Sequence, residues 1–197
     1  MVHCPDHCDQ FLLYARTYTV GRGYEHSQTN QLIFNLKKSV VATSPELFYK
    51  RKAIQRFTGE VVGWLNRYSE PLTLVPMPPS KARSHPEYDD RLEQVAGGVA
   101  AALPDIAWLP LLYAKDSIES SHSGSGRSAD MLYDWLQVDR SVGDRYQEDT
   151  TIALLDDVLT SGAHFTAARR RLLEAFPDAR VIGIFWAKAV SPEDFSF

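Results

Sequence analysis

The chain has 197 residues, 44% of them hydrophobic and 23% charged, and its 21 basic and 25 acidic side chains leave a net charge of −4. That length gives one domain with a substantial core, since about 70% of the unfolded surface can be buried. An ordinary composition with 11 Gly and 11 Pro excludes a collagen-like, coiled-coil or disordered chain. The acidic balance argues against coating nucleic acid or an anionic membrane by bulk charge, though not against binding a small phosphorylated ligand.

The first ten residues, MVHCPDHCDQ, are polar and show neither the apolar stretch nor the cleavage site expected of a secretory signal. No apolar run reaches bilayer length, so a cytoplasmic protein without a membrane partner is expected. Cys4 and Cys8 are the only cysteines, which excludes a disulfide framework. With His3 and His7 they could ligate zinc, although the plainer reading is a polar terminus without the paired CxxC of a zinc ribbon.

Residues 11–20, FLLYARTYTV, favour a strand, punctuated by Gly21 and Gly23. Residues 28–39 form a short helix with Leu32, Ile33 and Leu36 on one face. A longer helix over 44–70 follows, with Ser44 as its cap, Pro45 at the first helical position and Glu46 at the positive end. Its apolar residues Leu47, Ile54, Phe57, Val61, Trp64, Leu65 and Tyr68 recur at helical spacing.

LTLVP at 72–76 is a short buried strand, followed by a proline- and charge-rich loop and a helix over 88–103 that Gly97 and Gly98 weaken. Residues 106–114 give the next apolar strand, made irregular by Pro110. KDSIESSHSGSGR at 115–127 cannot supply a core and reads as a mobile loop. A short helix over 128–136, a strand over 150–155, a helix over 162–176 and a strand over 180–187 complete the pattern. Uncharged strands alternating with helices predict an α/β single domain with a central, mainly parallel sheet flanked by helices.

TIALLDDVLTSGAHF carries the chemistry. Apolar residues deliver Asp156 and Asp157 to the carboxyl end of a strand, where open α/β sheets place ligands. The turn into the next helix has Gly162 for tightness and Thr160 and Ser161 as hydroxyl donors, a design suited to phosphate. Two carboxylates would repel that phosphate, so they must face ribose hydroxyls, a divalent cation or both. Paired acids that merely cap the turn, as in a receiver-like domain, are the competing reading. A receiver's acids, however, lie near its start.

LLDDVLTSGAHF resembles the signature for 5-phosphoribosyl 1-pyrophosphate in the type I phosphoribosyltransferases: apolar residues, two acids and a Thr/Ser-Gly turn. The resemblance implies that family's fold with an N-terminal hood, residues 1–43, over an α/β core, residues 44–190. It implies that Asp156 and Asp157 contact the ribose and hold Mg²⁺, and that Val158, Leu159, Thr160, Ser161, Gly162, Ala163 and His164 clasp the 5-phosphate. His164 departs from the family's usual threonine.

LTLVPMPPSKARSHPEYDDRLEQVA is similar to the competence-protein ComF branch. That likeness implies a pyrophosphate loop of Pro76, Met77, Pro78, Pro79, Ser80 and Lys81, with Lys81 and Arg83 toward the diphosphate. Solvated loop charges are the plainer reading of those two. Tyr88, Asp89, Asp90 and Arg91 replace an aromatic-Asn-Gln segment, and read otherwise as a capped helix start with an internal ion pair. The 115–127 segment takes the place of the family's catalytic loop, with Lys115 or Arg127 reaching the leaving diphosphate. Lys37, Lys38 and Lys188 are further candidates by place alone. Phe185 and Trp186 read as core.

The resemblance implies a Mg²⁺-dependent transferase that moves phosphoribosyl from phosphoribosyl pyrophosphate to a nitrogen nucleophile, a nucleobase or amine, with release of pyrophosphate. The alternative is a non-catalytic binding or accessory protein, linked through the ComF likeness to DNA uptake. A phosphohydrolase or kinase-like enzyme is disfavoured by the missing GxxxxGK[ST] loop. A homodimer is the default expectation for any assembly.

Overall fold

Runs such as LTLVP and VIGIFWA present apolar residues to both sides of a strand, so each needs cover on two faces. The computed structural model, which describes residues 12–118, 128–147 and 150–192, meets that need with one sheet between helical layers. Strands β1 (Leu12–Thr19), β2 (Leu72–Pro76) and β3 (Ile106–Trp108) join β6 (Thr151–Leu159) and β7 (Val181–Val190) in the order β1-β7-β6-β2-β3, all parallel. β4 (Leu112–Ala114) and β5 (Leu136–Val138) form a separate antiparallel pair. The helices are α1 (Gln28–Leu36), α2 (Ser44–Leu65), α3 (Arg91–Ala102), α4 (Ala129–Trp135), α5 (Arg140–Gly143) and α6 (Ala163–Ala175). The α/β architecture with a central parallel sheet is therefore as expected.

Two aromatic contacts show how the layers close. Phe57 of α2 stacks on Trp186 with ring centroids 4.8 Å apart, and Phe165 of α6 meets Phe185 edge-on at 6.2 Å. Consecutive strand residues face opposite ways, so α2 covers one face of β7 and α6 the other. The Trp186 indole N–H is buried and needs an acceptor, which Glu60 Oε2 supplies at 2.8 Å. Burial alone would raise the Glu60 carboxyl; hydrogen bonds from Arg16, Trp186 and Arg56 reverse this and lower it.

Helix α1 is fastened to the carboxyl end of the sheet by a buried asparagine. Asn30 Nδ2 donates to the Thr19 carbonyl at 3.1 Å, and its Oδ1 accepts from the Thr19 N–H at 3.2 Å, so the side chain extends the ladder of β1. The carboxyl edge itself is uneven. β3 stops beside Leu74 and β2 at Pro76 beside Leu155, whereas β6 continues to Leu159 beside Lys188 and β7 to Val190 beside Thr19.

Several boundaries differ from the sequence reading. Thr43, not Ser44, caps α2: Glu46 Oε2 accepts from the Thr43 N–H at 3.1 Å and its hydroxyl at 2.7 Å, and the helix ends at Leu65 rather than 70. α3 starts at Arg91 rather than 88, after the turn in which the Tyr88 N–H donates to His85 O. Pro110, which has no N–H to give a ladder, separates β3 from β4, so residues 106–114 are two strands in different sheets. β5 and α5 extend the chain beyond the helix expected at 128–136. The proposed hood boundary at residue 43 falls at the cap of α2, and β1 on its N-terminal side pairs with β7 in the main sheet. His3, Cys4, His7 and Cys8 lie outside the described residues, as does most of the 115–127 loop. Among the described residues no helix is long and apolar enough to cross a membrane.

Close packing at β7 gives a direct test. A Cβ on Gly183 would lie 2.6 Å from Phe185 Cε2, 2.9 Å from Leu12 Cδ2 and 3.0 Å from Phe165 Cε2, all in the core. Gly183→Ala is expected to destabilise the fold by about 1–3 kcal/mol in urea unfolding, with an unchanged slope.

Candidate functional site

β6 does not end at its acids. Asp156 is opposite Phe185, and Val158 and Leu159 continue the pairing with Ala187 and Lys188 before the chain turns. Strand alternation sends the two carboxylates to opposite faces, and their surroundings differ accordingly. Asp157 is 4% exposed and is held from two sides. Arg91 Nη2 lies 2.8 Å from its Oδ2, and Lys37 Nζ lies 3.1 Å from its Oδ1. Asp156 is half-buried, and its Oδ1 accepts the Asp157 N–H at 2.8 Å.

The titration of the pair follows from that asymmetry. Burial pushes both carboxyls up, but Lys37 and Arg91 outweigh it at Asp157 and hold that group well below the usual range. At Asp156 burial and the neighbouring Asp157 charge act together, and it is pushed up to about 7.

Arg91 is itself held. Its Nη1 lies 2.6 Å from Asp89 Oδ2, its backbone N–H donates to Asp89 Oδ1 at 3.2 Å, and its Nε is buried without a hydrogen-bond partner among the described residues. Asp89 also pairs with Lys50 of α2 at 2.7 Å. The expected ion pair at this helix start is present, but it reaches across to β6 as well. Asp90, by contrast, is exposed and accepts from Gln94 Nε2 at 2.7 Å on its own helix. The Tyr88 hydroxyl donates to Glu93 Oε1 at 2.6 Å, and burial together with Glu93 raises its pKa.

After Leu159 the chain turns through exposed Thr160 and Ser161, and Gly162 takes φ 79°, a left-handed conformation that favours glycine. α6 then begins at Ala163, with no side chain capping it from Gly162; the Ala163 N–H reaches Ser161 Oγ at 3.4 Å. His164 is half-buried in the first helical turn. Val158 and Leu159 are buried strand residues, so the turn proper comprises Thr160, Ser161, Gly162, Ala163 and His164.

The loop after β2 lies beside the acids. Pro76 is the partner of Leu155, and the Met77 N–H donates to the Leu155 carbonyl at 2.9 Å. Met77 and Pro78 are buried, while Pro79, Ser80 and Lys81 are partly exposed. The Ser80 carbonyl accepts from the Ile118 N–H at 2.8 Å, and Ser117 Oγ accepts from the Ala82 N–H at 3.0 Å. Arg83 is directed to the base of the β4–β5 pair instead, where it bonds the Pro110 carbonyl at 3.2 Å and lies 3.4 Å from Asp139. There it lines an open recess of about 490 Å³ with Tyr113, Val138, Asp139 and Arg140.

The fold thus brings together Asp156, Asp157, Lys37, Asp89 and Arg91, with Pro76 and Met77 alongside. Lys38 pairs instead with Glu46 at 3.4 Å. Lys188 lies inside β7, not past its end, with its ammonium 5.7 Å from the Tyr14 ring centroid. Lys115 is exposed after β4, and Arg127 lies outside the described residues. Phe185 and Trp186 are core, as expected. Lys50 was missed, although its signal was legible: it follows Leu47 and precedes Ile54, Phe57 and Val61 at the spacing of the α2 apolar face.

No family model matches this chain, and no curated protein matches it. Among solved structures it is similar to a hypoxanthine phosphoribosyltransferase from Staphylococcus aureus, at 12% identity over 84% of each chain with a TM-score of 0.42. A likeness at that level bears on neither substrate nor activity.

The asymmetry of the acids predicts a pH dependence. Between the ordinary aspartate value near 3.9 and about 7, folded Asp156 keeps a proton that the unfolded chain releases. Stability carried by that proton is lost as pH rises through about 7. The contribution of Asp157 is already complete above about 4, so it does not interfere. Asp156→Asn is expected to gain in melting temperature relative to the parent between pH 5 and pH 7 and to keep that margin at pH 8, as measured by thermal unfolding across pH.

Proposed function

We propose that this chain binds 5-phosphoribosyl 1-pyrophosphate and transfers its phosphoribosyl group to a nitrogen nucleophile, releasing pyrophosphate. The observation that carries the reading is the unit of acid pair, left-handed Gly162 turn and α6 start at the carboxyl end of the central strand β6. A helix start of this kind offers amides and a positive dipole end to the 5-phosphate. Asp156, the more exposed acid of the pair, accepts from the ribose hydroxyls. The Met77–Lys81 segment beside Leu155 faces the diphosphate. Arg83, engaged at Asp139, plays no part without turning away from it.

In the transfer, the bond from C1 to the diphosphate oxygen breaks and its electron pair leaves with pyrophosphate, while the nucleophile forms a new C1–N bond and loses a proton to solvent. The chain's contribution is positioning and charge: the turn fixes one end of the sugar, and basic groups stabilise the diphosphate as its charge grows. The acceptor is a nucleobase or amine.

Mg²⁺ suits only part of the acid pair. Asp157 has Lys37 and Arg91 against its two oxygens, which disfavours a cation there, and among the described residues no three His, Cys, Asp or Glu side chains converge so as to hold a metal ion by themselves. Asp156 is the carboxylate of the pair that would hold the ion, since Mg²⁺ takes hard oxygen ligands and needs only one or two carboxylates from the protein. When bound, the ion would supply charge neutralisation on the diphosphate. The ion-paired state of Asp157 also favours a second reading, a binding or accessory protein that holds the sugar phosphate without transfer.

Calorimetry with phosphoribosyl pyrophosphate and Mg²⁺ tests the shared part. Binding should weaken by about tenfold or more in Asp156→Asn, the loss expected for a charged hydrogen bond. No binding by the parent chain would overturn both readings. Pyrophosphate release on adding purines, pyrimidines or amines then separates transferase from binder.

A further inference from the structure

Lys50 has the three donors of an ammonium group, and each of them is used inside the protein. Its Nζ donates to the Leu36 carbonyl at 2.9 Å, to the Lys38 carbonyl at 2.7 Å and to Asp89 Oδ2 at 2.7 Å. The residue is 5% exposed, on the core-facing stripe of α2, where a leucine would cost nothing in desolvation. Its acceptors explain what the lysine accomplishes there. The two carbonyls belong to the residues immediately before and after Lys37, at the negative end of the α1 dipole. The third acceptor holds Arg91. Lys37 and Arg91 are the two cations on Asp157, at 3.1 Å and 2.8 Å.

The contacts therefore close a ring. From Lys50 the path runs through Asp89, Arg91 and Asp157 to Lys37, and returns through the backbone on either side of Lys37 to Lys50. Four separate parts of the chain meet in it: the end of α1, the first half of α2, the segment entering α3, and β6. A hydrophobic residue at position 50 could fill the volume, but it could neither pin the backbone of Lys37 nor orient Asp89.

We propose that Lys50 is a positioning residue for the β6 site, setting both cations on Asp157 through the end of α1 and through Asp89. This rests on the sugar-phosphate reading of that site. It assigns Asp157 the part of a fixed internal counter-ion that sets the local charge, and leaves Asp156 as the carboxylate that meets ligand.

The test is a double-variant cycle in the full chain, using Lys50→Met, Lys37→Met and both together. Affinity for phosphoribosyl pyrophosphate with Mg²⁺ is measured by calorimetry, and amide exchange over residues 36–42 by mass spectrometry. Glu60→Gln, a change in a separate polar cluster around Trp186, controls for simple destabilisation and should leave affinity unchanged. Each single lysine variant is expected to bind about tenfold more weakly, and the double variant no more weakly than the weaker single, because both act through one path. Faster exchange at 36–42 in Lys50→Met should accompany the loss. Unchanged affinity in folded Lys50→Met, or losses that multiply in the double variant, would overturn the proposal. Should Lys50→Met not fold, the same cycle run with Asp89→Asn carries the same two outcomes. If the parent chain binds no phosphoribosyl pyrophosphate, the functional reading fails separately, and the exchange at 36–42 still decides whether Lys50 holds the end of α1: unchanged exchange there overturns the clamp.

Discussion

A carboxylate buried in a sheet must be neutralised where it stands, and the architecture at the carboxyl edge follows from that requirement at Asp157. Burying the charge unpaired would cost several kcal/mol, and here a cation is brought to each of its two oxygens. One comes from the end of α1 and the other from the start of α3, which obliges both elements to converge on β6. Asn30 supports the first arrival by tying α1 to the end of β1, and Asp89 supports the second by fixing the guanidinium of Arg91.

The half-buried carboxylate of Glu60 shows the contrast. Glu60 is surrounded by donors from Arg16, Arg56 and Trp186, which leave it little further capacity, and its part is to satisfy the indole of a core tryptophan. Among the described residues, Asp156 receives a single amide, from its own neighbour. Two acids of one chain thus differ in availability, and the difference lies in what faces them rather than in residue type.

Much of the sheet was legible in the sequence because its cause is local. LTLVP is a strand with the bounds expected, and the glycine turn into α6 lies where the motif placed it. The acids were placed at a strand terminus, but Val158 and Leu159 prolong the strand because β7 extends far enough to pair with them, a fact about a neighbour and not about the segment. The three-residue strands β4 and β5 have too little pattern of their own and exist through each other. Arg91 looked like half of a local ion pair, since nothing along the chain says that the α3 start faces β6. Lys50 left a trace in the α2 periodicity, yet its partners come from two other segments that only the fold assembles.

The uneven strand ends turn the carboxyl edge of the sheet into a staircase. β2 stops beside Leu155 while β6 rises past it to Leu159, a step of roughly 13 Å at the ordinary rise per strand residue. The acids consequently stand on the riser and not on the tread. A molecule seated on the short strand β2 would meet them from the side, and its length along the strand axis would be gauged against that step.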